Sequence, residues 1–195
     1  MRIQKQEARA AARDRIAGLD VLAKRSASEL LSDGLAAEPR IVAARCVMAF
    51  APMDDEPDIT PLLRSLLARG VTVAMPRFDW VGGNLIPMRL LSLEQDLEML
   101  VVSEKPRVRV PRAGLETVST AEIDVVLVPG LAFDGAGGRL GRGKGFYDHF
   151  LPTLRADAFT CAVCFGVQVI EAVPMEPHDV RLMAVACERG IMLVR

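Results

Sequence analysis

The chain is poor in several residues on which many enzyme mechanisms depend. Its 195 residues include two histidines, one tryptophan and one tyrosine. Neither His149 nor His178 lies in a Ser/His/Asp arrangement or in an H-E-x-x-H motif. The sequence therefore does not indicate hydrolase chemistry of those kinds.

An excess of charge of one sign is also missing, because 24 Lys and Arg stand against 25 Asp and Glu. Without a global basic surface, any anion site must be local, and nucleic acid is not an expected partner. No apolar run approaches the roughly 20 residues needed to span a bilayer. The N-terminal segment is charged and Ala-rich, unlike a signal peptide. We therefore expect no membrane partner and a cytoplasmic location.

Cysteine is present but does not form a recognisable metal or redox motif. Cys161 and Cys164 have C-x-x-C spacing, yet they lie in the strand-like run FTCAVCFGVQV. Residues three apart in a strand point to opposite faces. No second C-x-x-C and no neighbouring histidine completes a zinc site. We predict that all four cysteines, which include Cys46 and Cys187, are buried free thiols.

The most informative stretch is VVLVPGLAFDGAGGRLGRGKGFYDHFL, residues 125–151. Its first four residues form a continuous apolar run, typical of a strand buried on both faces of a parallel sheet. A loop with six glycines and three cations follows, and then an apolar helical pattern begins at Phe146. Glycine lets backbone N–H groups approach a phosphate, a helix N-terminus adds donors, and Arg and Lys add charge. This order predicts an anion site.

The loop is not an ordinary P-loop. Gly138 to Lys144 fits the spacing G-x-x-x-x-G-K, but the next residue is Gly145 and not Ser or Thr. The hydroxyl that holds magnesium in a P-loop NTPase is therefore missing, and we reject that class. Asp148 can offer a magnesium oxygen instead. The alternative is a flexible surface loop whose charges are only solvated.

The segment GGRLGRGKGFYDHFL resembles the signature of the 5-formyltetrahydrofolate cyclo-ligase family, also called methenyltetrahydrofolate synthetases. The family pattern, roughly G-x-R-L-G-x-G-[KG]-G-[YF]-Y-D, is met from Arg139 through Asp148. The resemblance implies a ligase that uses ATP and magnesium to convert 5-formyltetrahydrofolate into 5,10-methenyltetrahydrofolate. ADP and phosphate are released, and the implied intermediate is a phosphorylated formyl group, an iminium phosphate.

The resemblance also implies roles for individual residues. Arg139, Lys144 and Tyr147 are expected to be catalytic, and Asp148 to hold magnesium. Glu56, Arg142, Lys144 and Phe146 are expected to contact the reduced folate. The nucleotide would be held by Lys5 and Arg9, which match a K-x-x-x-R pair of the family, and by the run Arg139, Leu140, Gly141, Arg142, Gly143, Lys144, Gly145, Phe146 and Tyr147.

The residues alone leave some of these roles open. Lys5 and Arg9 belong to a basic stripe that can also be a solvated helix face. Glu56 can belong to a polar loop, and Trp80 can be a core residue or a ligand stacker. The family's G-[IV]-x-E-P motif is replaced by VRVPRAG, and Met183 stands where a second metal-associated aspartate is usual. Asp148 is then the main protein carboxylate for magnesium, and Asp179 is a candidate to compensate for the loss.

The chain pattern predicts one three-layer α/β domain over residues 1–195, Rossmann-like, with a mainly parallel, partly mixed sheet flanked by helices. We expect a monomer. The loops carrying Glu56 and Lys144 both follow strands, so they should converge on one cleft.

Two other functions stay open: a paralogue that uses ATP on another small molecule, and a non-catalytic module that binds folate or nucleotide. The predicted elements are helices over 2–18, 20–35 and 61–69 (with Thr60 as N-cap), strands over 45–51, 71–76, 158–169, 185–187 and 191–194, a turn at Gly82 and Gly83, and an irregular segment over 92–120.

Overall fold

The computed structural model describes residues 1–101 and 107–194. Within them, a seven-stranded sheet has the order β12-β11-β9-β6-β1-β2-β3, and two small sheets have the orders β10-β7-β8 and β4-β5. The helices are α1 (Arg2–Ala17), α2 (Val21–Ala37), α3 (Pro39–Ala43), α4 (Thr60–Ala68) and α5 (Phe146–Phe150). The strands are β1 (Cys46–Met48), β2 (Thr72–Asp79), β3 (Asn84–Leu90), β4 (Leu97–Val101), β5 (Arg107–Pro111), β6 (Val125–Val128), β7 (Ala132–Asp134), β8 (Arg139–Leu140), β9 (Phe159–Val163), β10 (Val169–Ile170), β11 (Ala184–Cys187) and β12 (Gly190–Leu193).

The large sheet is parallel at its centre and antiparallel at its two edges. Strand β6 pairs in parallel with β1 on one side and with β9 on the other. The edge pairs β2–β3 and β11–β12 are antiparallel hairpins. This arrangement confirms the predicted fold class, an α/β architecture with a mainly parallel, partly mixed sheet flanked by helices.

Both faces of the sheet are covered by helices, as the sequence of β6 predicted. Val125 and Leu127 belong to an apolar cluster that includes residues of α2 and α4. Val126 and Val128 belong to a second cluster that includes Phe146 and Phe150 of α5. Helix α1 packs instead against the small sheet, in a third cluster with Ala132 and Leu140. No helix among the described residues has the length and apolar character to cross a membrane.

The C-x-x-C residues lie on opposite faces of the sheet, as predicted. Cys161 belongs to the first apolar cluster and Cys164 to the second. All four cysteines are buried and free. Burial raises the pKa of the Cys46 thiol to about 11 and the pKa of the Cys161 thiol to about 12. Thiols that are buried and protonated are poor nucleophiles and poor metal ligands.

The folded protein is therefore expected to resist thiol reagents. Ellman's reagent at neutral pH should label none of the four thiols within minutes, because reaction needs an accessible thiolate. In denaturant all four should react, which serves as the control. Rapid labelling of the folded protein, or a disulfide between Cys161 and Cys164, would contradict this arrangement.

Several boundaries differ from the sequence prediction, and two strands are shorter than predicted: β1 ends at Met48 and not at residue 51, and β9 ends at Val163 and not at residue 169. Strand β2 continues through Pro76 to Asp79, because Pro76 lies opposite Pro87 of β3, where neither residue needs a ladder donor. Thr60 is the first helical residue and not the N-cap, and its N–H donates to Asp58 Oδ1 at 2.9 Å. The segment over 92–120 is not irregular throughout, because β4 and β5 pair as antiparallel strands.

The segment after β6 is more structured than the predicted glycine-rich loop. It first forms the β7–β8 hairpin, whose turn residue Gly137 has a φ of 77°. A Cβ at Gly137 would collide with the backbone oxygen of Leu182, so this glycine serves packing and not ligand access. Helix α5 has only five residues, so its dipole contributes less to an anion site than the sequence suggested.

Candidate active site

A cleft of about 780 Å³ lies where the loops after β1, β2 and β6 meet the first half of α1. Loops that follow parallel strands share one edge of the sheet, which is why they converge here. Glu56 and Lys144 both line the cleft, as their positions after strands predicted. All the residues predicted for the site line it: Lys5, Arg9, Glu56 and the continuous run from Arg139 to Asp148.

Positive charge predominates in the cleft. Among the described residues, seven Lys and Arg side chains line it against four Asp and Glu side chains. Sequence reasoning did not single out Arg2, Arg109 and Glu176 as site residues, because no local motif marks them. A local excess of cations in a chain of nearly neutral net charge matches the expectation that any anion site in this protein is local.

Arg139 is the most deeply placed of these cations. Its side chain is 4% exposed, and its Nη2 donates to Asp148 Oδ1 at 2.6 Å. The guanidinium carbon lies 5.4 Å from the centre of the Tyr147 ring. Arg139 and Asp148 are nine residues apart in the chain. They meet because the glycine loop after β8 turns back into α5.

Two buried donors in the cleft wall have no hydrogen-bond partner within the described part of the chain. They are Arg139 Nε and the Tyr147 hydroxyl. Burial raises the pKa of Tyr147, so its hydroxyl is a neutral donor at physiological pH. A buried donor without a partner is costly, so groups left in this state beside a cleft are typical of a site that a ligand completes.

Lys5 does not extend freely into the cleft. Its Nζ lies 2.8 Å from Glu176 Oε2 and 2.5 Å from Asp179 Oδ2. Burial alone would lower the pKa of Lys5, but the hydrogen bonds to the two carboxylates outweigh burial and raise it. The ligand atoms of Glu176, His178 and Asp179 lie within 4.8 Å of one another, and Lys5 supplies the positive charge among them.

Arg9 and Arg142 fix the glycine loop at two points. Arg9 Nε donates to the Gly141 carbonyl at 2.9 Å, which ties the loop to α1. Arg142 Nη2 donates to Asp55 at 2.7 Å and to Glu56 at 3.1 Å, which ties the loop to the acidic segment after β1. For Arg142 to contact a phosphate as predicted, its guanidinium would have to leave these carboxylates or bind the phosphate together with them.

Glu56 is a buried carboxylate beside the cleft. Its side chain is 6% exposed, and it accepts hydrogen bonds from Arg142 and from the Met53 N–H at 3.1 Å. Burial raises the pKa of Glu56, and the Arg142 charge and the Met53 N–H only partly offset that rise. Both carboxylate oxygens keep a free lone pair, so Glu56 can accept further hydrogen bonds from a ligand.

The departures from the family pattern fall partly inside the cleft. Val108 and Arg109 of the VRVPRAG segment line it. Met183 does not line it, and its side chain is 46% exposed. Trp80, which the sequence could not assign, is not a core residue, because it is 43% exposed and lines the cleft.

Comparison with known proteins identifies the family of this chain. The profile of the 5-formyltetrahydrofolate cyclo-ligase family matches residues 2–188. The chain is 38% identical over 157 residues to a 5-formyltetrahydrofolate cyclo-ligase of Mycolicibacterium smegmatis, covering 79% of each chain. It is 27% identical over 187 residues to the mouse cyclo-ligase, covering 92% of this chain and 91% of the mouse protein. The 5,10-methenyltetrahydrofolate synthetase of Aquifex aeolicus superposes with a TM-score of 0.82 at 28% identity, over 98% of this chain and 93% of that one. The chain therefore belongs to the 5-formyltetrahydrofolate cyclo-ligase family.

Proposed function

We propose that this chain converts 5-formyltetrahydrofolate to 5,10-methenyltetrahydrofolate with ATP and Mg²⁺, releasing ADP and phosphate. The observation that carries the proposal is one cleft that combines an excess of cations with a buried carboxylate and with aromatic rings, of which Trp80 is exposed. The cations suit a triphosphate, and the carboxylate and rings suit a planar ligand with N–H donors on its edge.

The chemical difficulty of the reaction is that an amide oxygen is a poor leaving group. Transfer of the γ-phosphoryl group to the formyl oxygen breaks the bond to ADP and yields the iminium phosphate. The neighbouring folate amine then attacks the formyl carbon, the C–O bond breaks as phosphate leaves, and the proton of the amine departs with the phosphate. Because the attacking amine belongs to the same substrate, the reaction needs no strong protein base. The small number of histidines agrees with that requirement.

The residues of the glycine loop would supply charge neutralisation and positioning, which dominate phosphoryl transfer. Lys144 is exposed in the cleft and forms no ion pair with the described carboxylates, so its ammonium is available to a phosphate. Arg139 and Tyr147 would direct their unpartnered donors toward oxygens that gain charge in the reaction. Lys5 and Arg9 would flank the triphosphate once Lys5 exchanges its carboxylate partners.

The cleft also fits a magnesium ion by the chemistry of its oxygen ligands. Asp148, Glu176 and Asp179 line it, and carboxylate oxygens are the ligands that Mg²⁺ prefers. When bound, Mg²⁺ would neutralise phosphate charge. Asp148 now accepts a hydrogen bond from Arg139 at 2.6 Å, and Asp179 accepts one from Lys5 at 2.5 Å. Binding of the metal and the phosphate would therefore replace both ion pairs.

The departure at VRVPRAG supports a second candidate, a paralogue that acts with ATP on another small molecule. Val108 and Arg109 line the cleft where the family has its E-P motif, so the substrate end of the cleft is altered. ADP release measured across several formylated compounds separates the two candidates. The cyclo-ligase should respond to 5-formyltetrahydrofolate far more than to the others.

The proposal is tested by following the absorbance of methenyltetrahydrofolate in purified protein with 5-formyltetrahydrofolate, Mg²⁺ and ATP. The signal should vanish when ATP or Mg²⁺ is omitted. With ¹⁸O in the formyl group, the label should appear in the released phosphate, because the formyl oxygen leaves as a phosphate oxygen. Unlabelled phosphate would contradict the phosphorylated intermediate.

Glu56→Gln is expected to weaken folate binding without weakening the fold. A carboxylate whose folded pKa is raised adds stability below the ordinary carboxyl pKa, and that stability is lost as the pH rises through the folded pKa. At neutral pH the neutral amide should therefore give an equal or higher melting temperature. The KM for 5-formyltetrahydrofolate should rise roughly 10- to 100-fold with the loss of charge-assisted hydrogen bonds. A lower melting temperature with unchanged KM would contradict this prediction.

A further inference from the structure

Trp80 is a large aromatic side chain on the β2–β3 hairpin that remains 43% exposed while lining the cleft. Its ring lies 5.1 Å from the ring of Phe146 at an interplanar angle of 89°, and 5.7 Å from the ring of Phe78. The rings of Phe78 and Phe146 lie 5.0 Å apart. We name these three residues the aromatic wall. Because Trp80 stays 43% exposed beside these two rings, part of its indole is available to a flat ligand.

The hairpin tip that carries Trp80 is held from two directions. Asp79 Oδ1 accepts from the N–H groups of Val81 at 3.1 Å and Gly82 at 3.0 Å, which closes the turn. His149 Nδ1 lies 3.3 Å from the Gly83 carbonyl, which joins the tip to α5. Trp80 is therefore positioned before a ligand binds, which reduces the entropic cost of stacking.

The glycine loop separates the two chemically different ends of the cleft. At its start, the Gly141 carbonyl accepts from Arg9 of α1, close to the end where Lys5 meets Glu176 and Asp179. At its end, Phe146 contacts Trp80. A phosphate chain is attracted to the end beside α1 by Arg2, Lys5 and Arg9, three cations of α1 that line the cleft. The aromatic wall at the other end is then left to a planar ring.

We propose that Trp80 is a specificity-determining residue that stacks on the pterin ring of the folate substrate. This inference rests on the proposed function, which identifies the ring as a pterin. It also assigns a role to Trp80, which the sequence alone could not identify as a core residue or as a ligand stacker. Stacking on the adenine ring of the nucleotide is the competing outcome, which the experiment separates.

The experiment uses intrinsic fluorescence, because Trp80 is the only tryptophan in the chain. The whole protein is titrated with 5-formyltetrahydrofolate alone and with MgADP alone, and binding of each is measured in parallel by calorimetry. We expect saturable quenching by the folate, with a midpoint equal to the calorimetric Kd, and little change with bound MgADP. Quenching by MgADP and not by folate, or no change at saturating folate, would overturn the proposal.

Substitution adds a second readout with a matched control. Trp80→Ala should raise the Kd and KM for the folate by about 10- to 100-fold and leave the KM for ATP unchanged. Trp80→Phe should keep most of the affinity, because it keeps a flat ring. Val81→Ala is the control, since Val81 lies in the same turn, is fully exposed and does not line the cleft. Equal folate affinity in Trp80→Ala and in Val81→Ala would refute the stacking role.

These measurements separate failure of this inference from failure of the proposed function. Calorimetric binding and quenching need no turnover, so a protein that binds folate against Trp80 but forms no product refutes only the catalytic proposal. Normal turnover with Trp80→Ala at unchanged folate KM refutes only the inference.

Discussion

Lys144→Ala is expected to lower kcat/KM by roughly 100- to 1,000-fold while leaving the melting temperature unchanged. Lys144 is exposed, lines the cleft and forms no ion pair with the described carboxylates, so its removal strands no buried charge. The residues on either side, Gly143 and Gly145, have φ values of 98° and 73°. Such backbone geometry favours glycine and presents Lys144 at the tip of the loop. Steady-state kinetics and thermal melts check both parts.

Two variants serve as controls for Lys144→Ala. Lys144→Arg keeps the charge but changes its shape, so it should recover part of the activity. Arg25→Ala removes a cation that is 77% exposed and pairs with Glu29 on α2, so it should leave kcat/KM unchanged. Wild-type kcat/KM in Lys144→Ala would refute the assignment of the phosphate site to the glycine loop.

Arg139→Met is expected to abolish turnover and also to destabilise the fold. It removes a donor from the cleft and leaves the Asp148 carboxylate without the guanidinium that now lies 2.6 Å away. Breaking a buried ion pair from one side costs about 3–5 kcal/mol. Because the Asp148 side chain is 19% exposed, we expect a loss nearer to about 2 kcal/mol in the free energy of unfolding. Urea denaturation measures the loss.

A double-mutant cycle separates stability from catalysis at this pair. Asp148→Asn in the Arg139→Met background removes the stranded charge and should recover part of the lost stability. It should not recover activity, because the phosphate donor and the carboxylate proposed to hold magnesium are then both missing. Recovery of activity together with stability would show that Arg139 acts only as a structural residue.

Local features of this protein could be predicted because they depend on residues close in the chain. The apolar run of β6 identified a strand buried on both faces, and the spacing of Cys161 and Cys164 placed them on opposite faces. The family resemblance of residues 139–148 predicted the cyclo-ligase family, and the order of strands and loops predicted that Glu56 and Lys144 share a cleft.

Features that depend on long-range pairing could not be predicted. Lys5 pairs with Glu176 and Asp179, which follow it by 171 and 174 residues, and no local pattern joins them. Arg142 was expected to contact phosphate or folate, yet it also holds Asp55 and Glu56 across the cleft. Such partners are chosen by tertiary packing, which brings α1 and the loops after β1 and β6 together.

The glycines of residues 125–151 include some whose role depends on tertiary packing and could not be predicted. From the sequence alone, Gly137, which packs against the backbone of Leu182, could not be distinguished from Gly143 and Gly145, which line the cleft. All three have positive φ, so turn geometry alone does not distinguish packing from ligand access. The difference comes from the β7–β8 hairpin, whose short strands have no strong sequence signal.

We propose that this cleft couples ATP cleavage to closure of the folate ring. The most direct measurement counts ADP and methenyltetrahydrofolate in the same sample during the first turnovers of the wild-type protein. We predict one ADP for each methenyltetrahydrofolate, with both falling together in Lys144→Ala. ADP formed without methenyltetrahydrofolate, or methenyltetrahydrofolate formed without ADP, would contradict the claim.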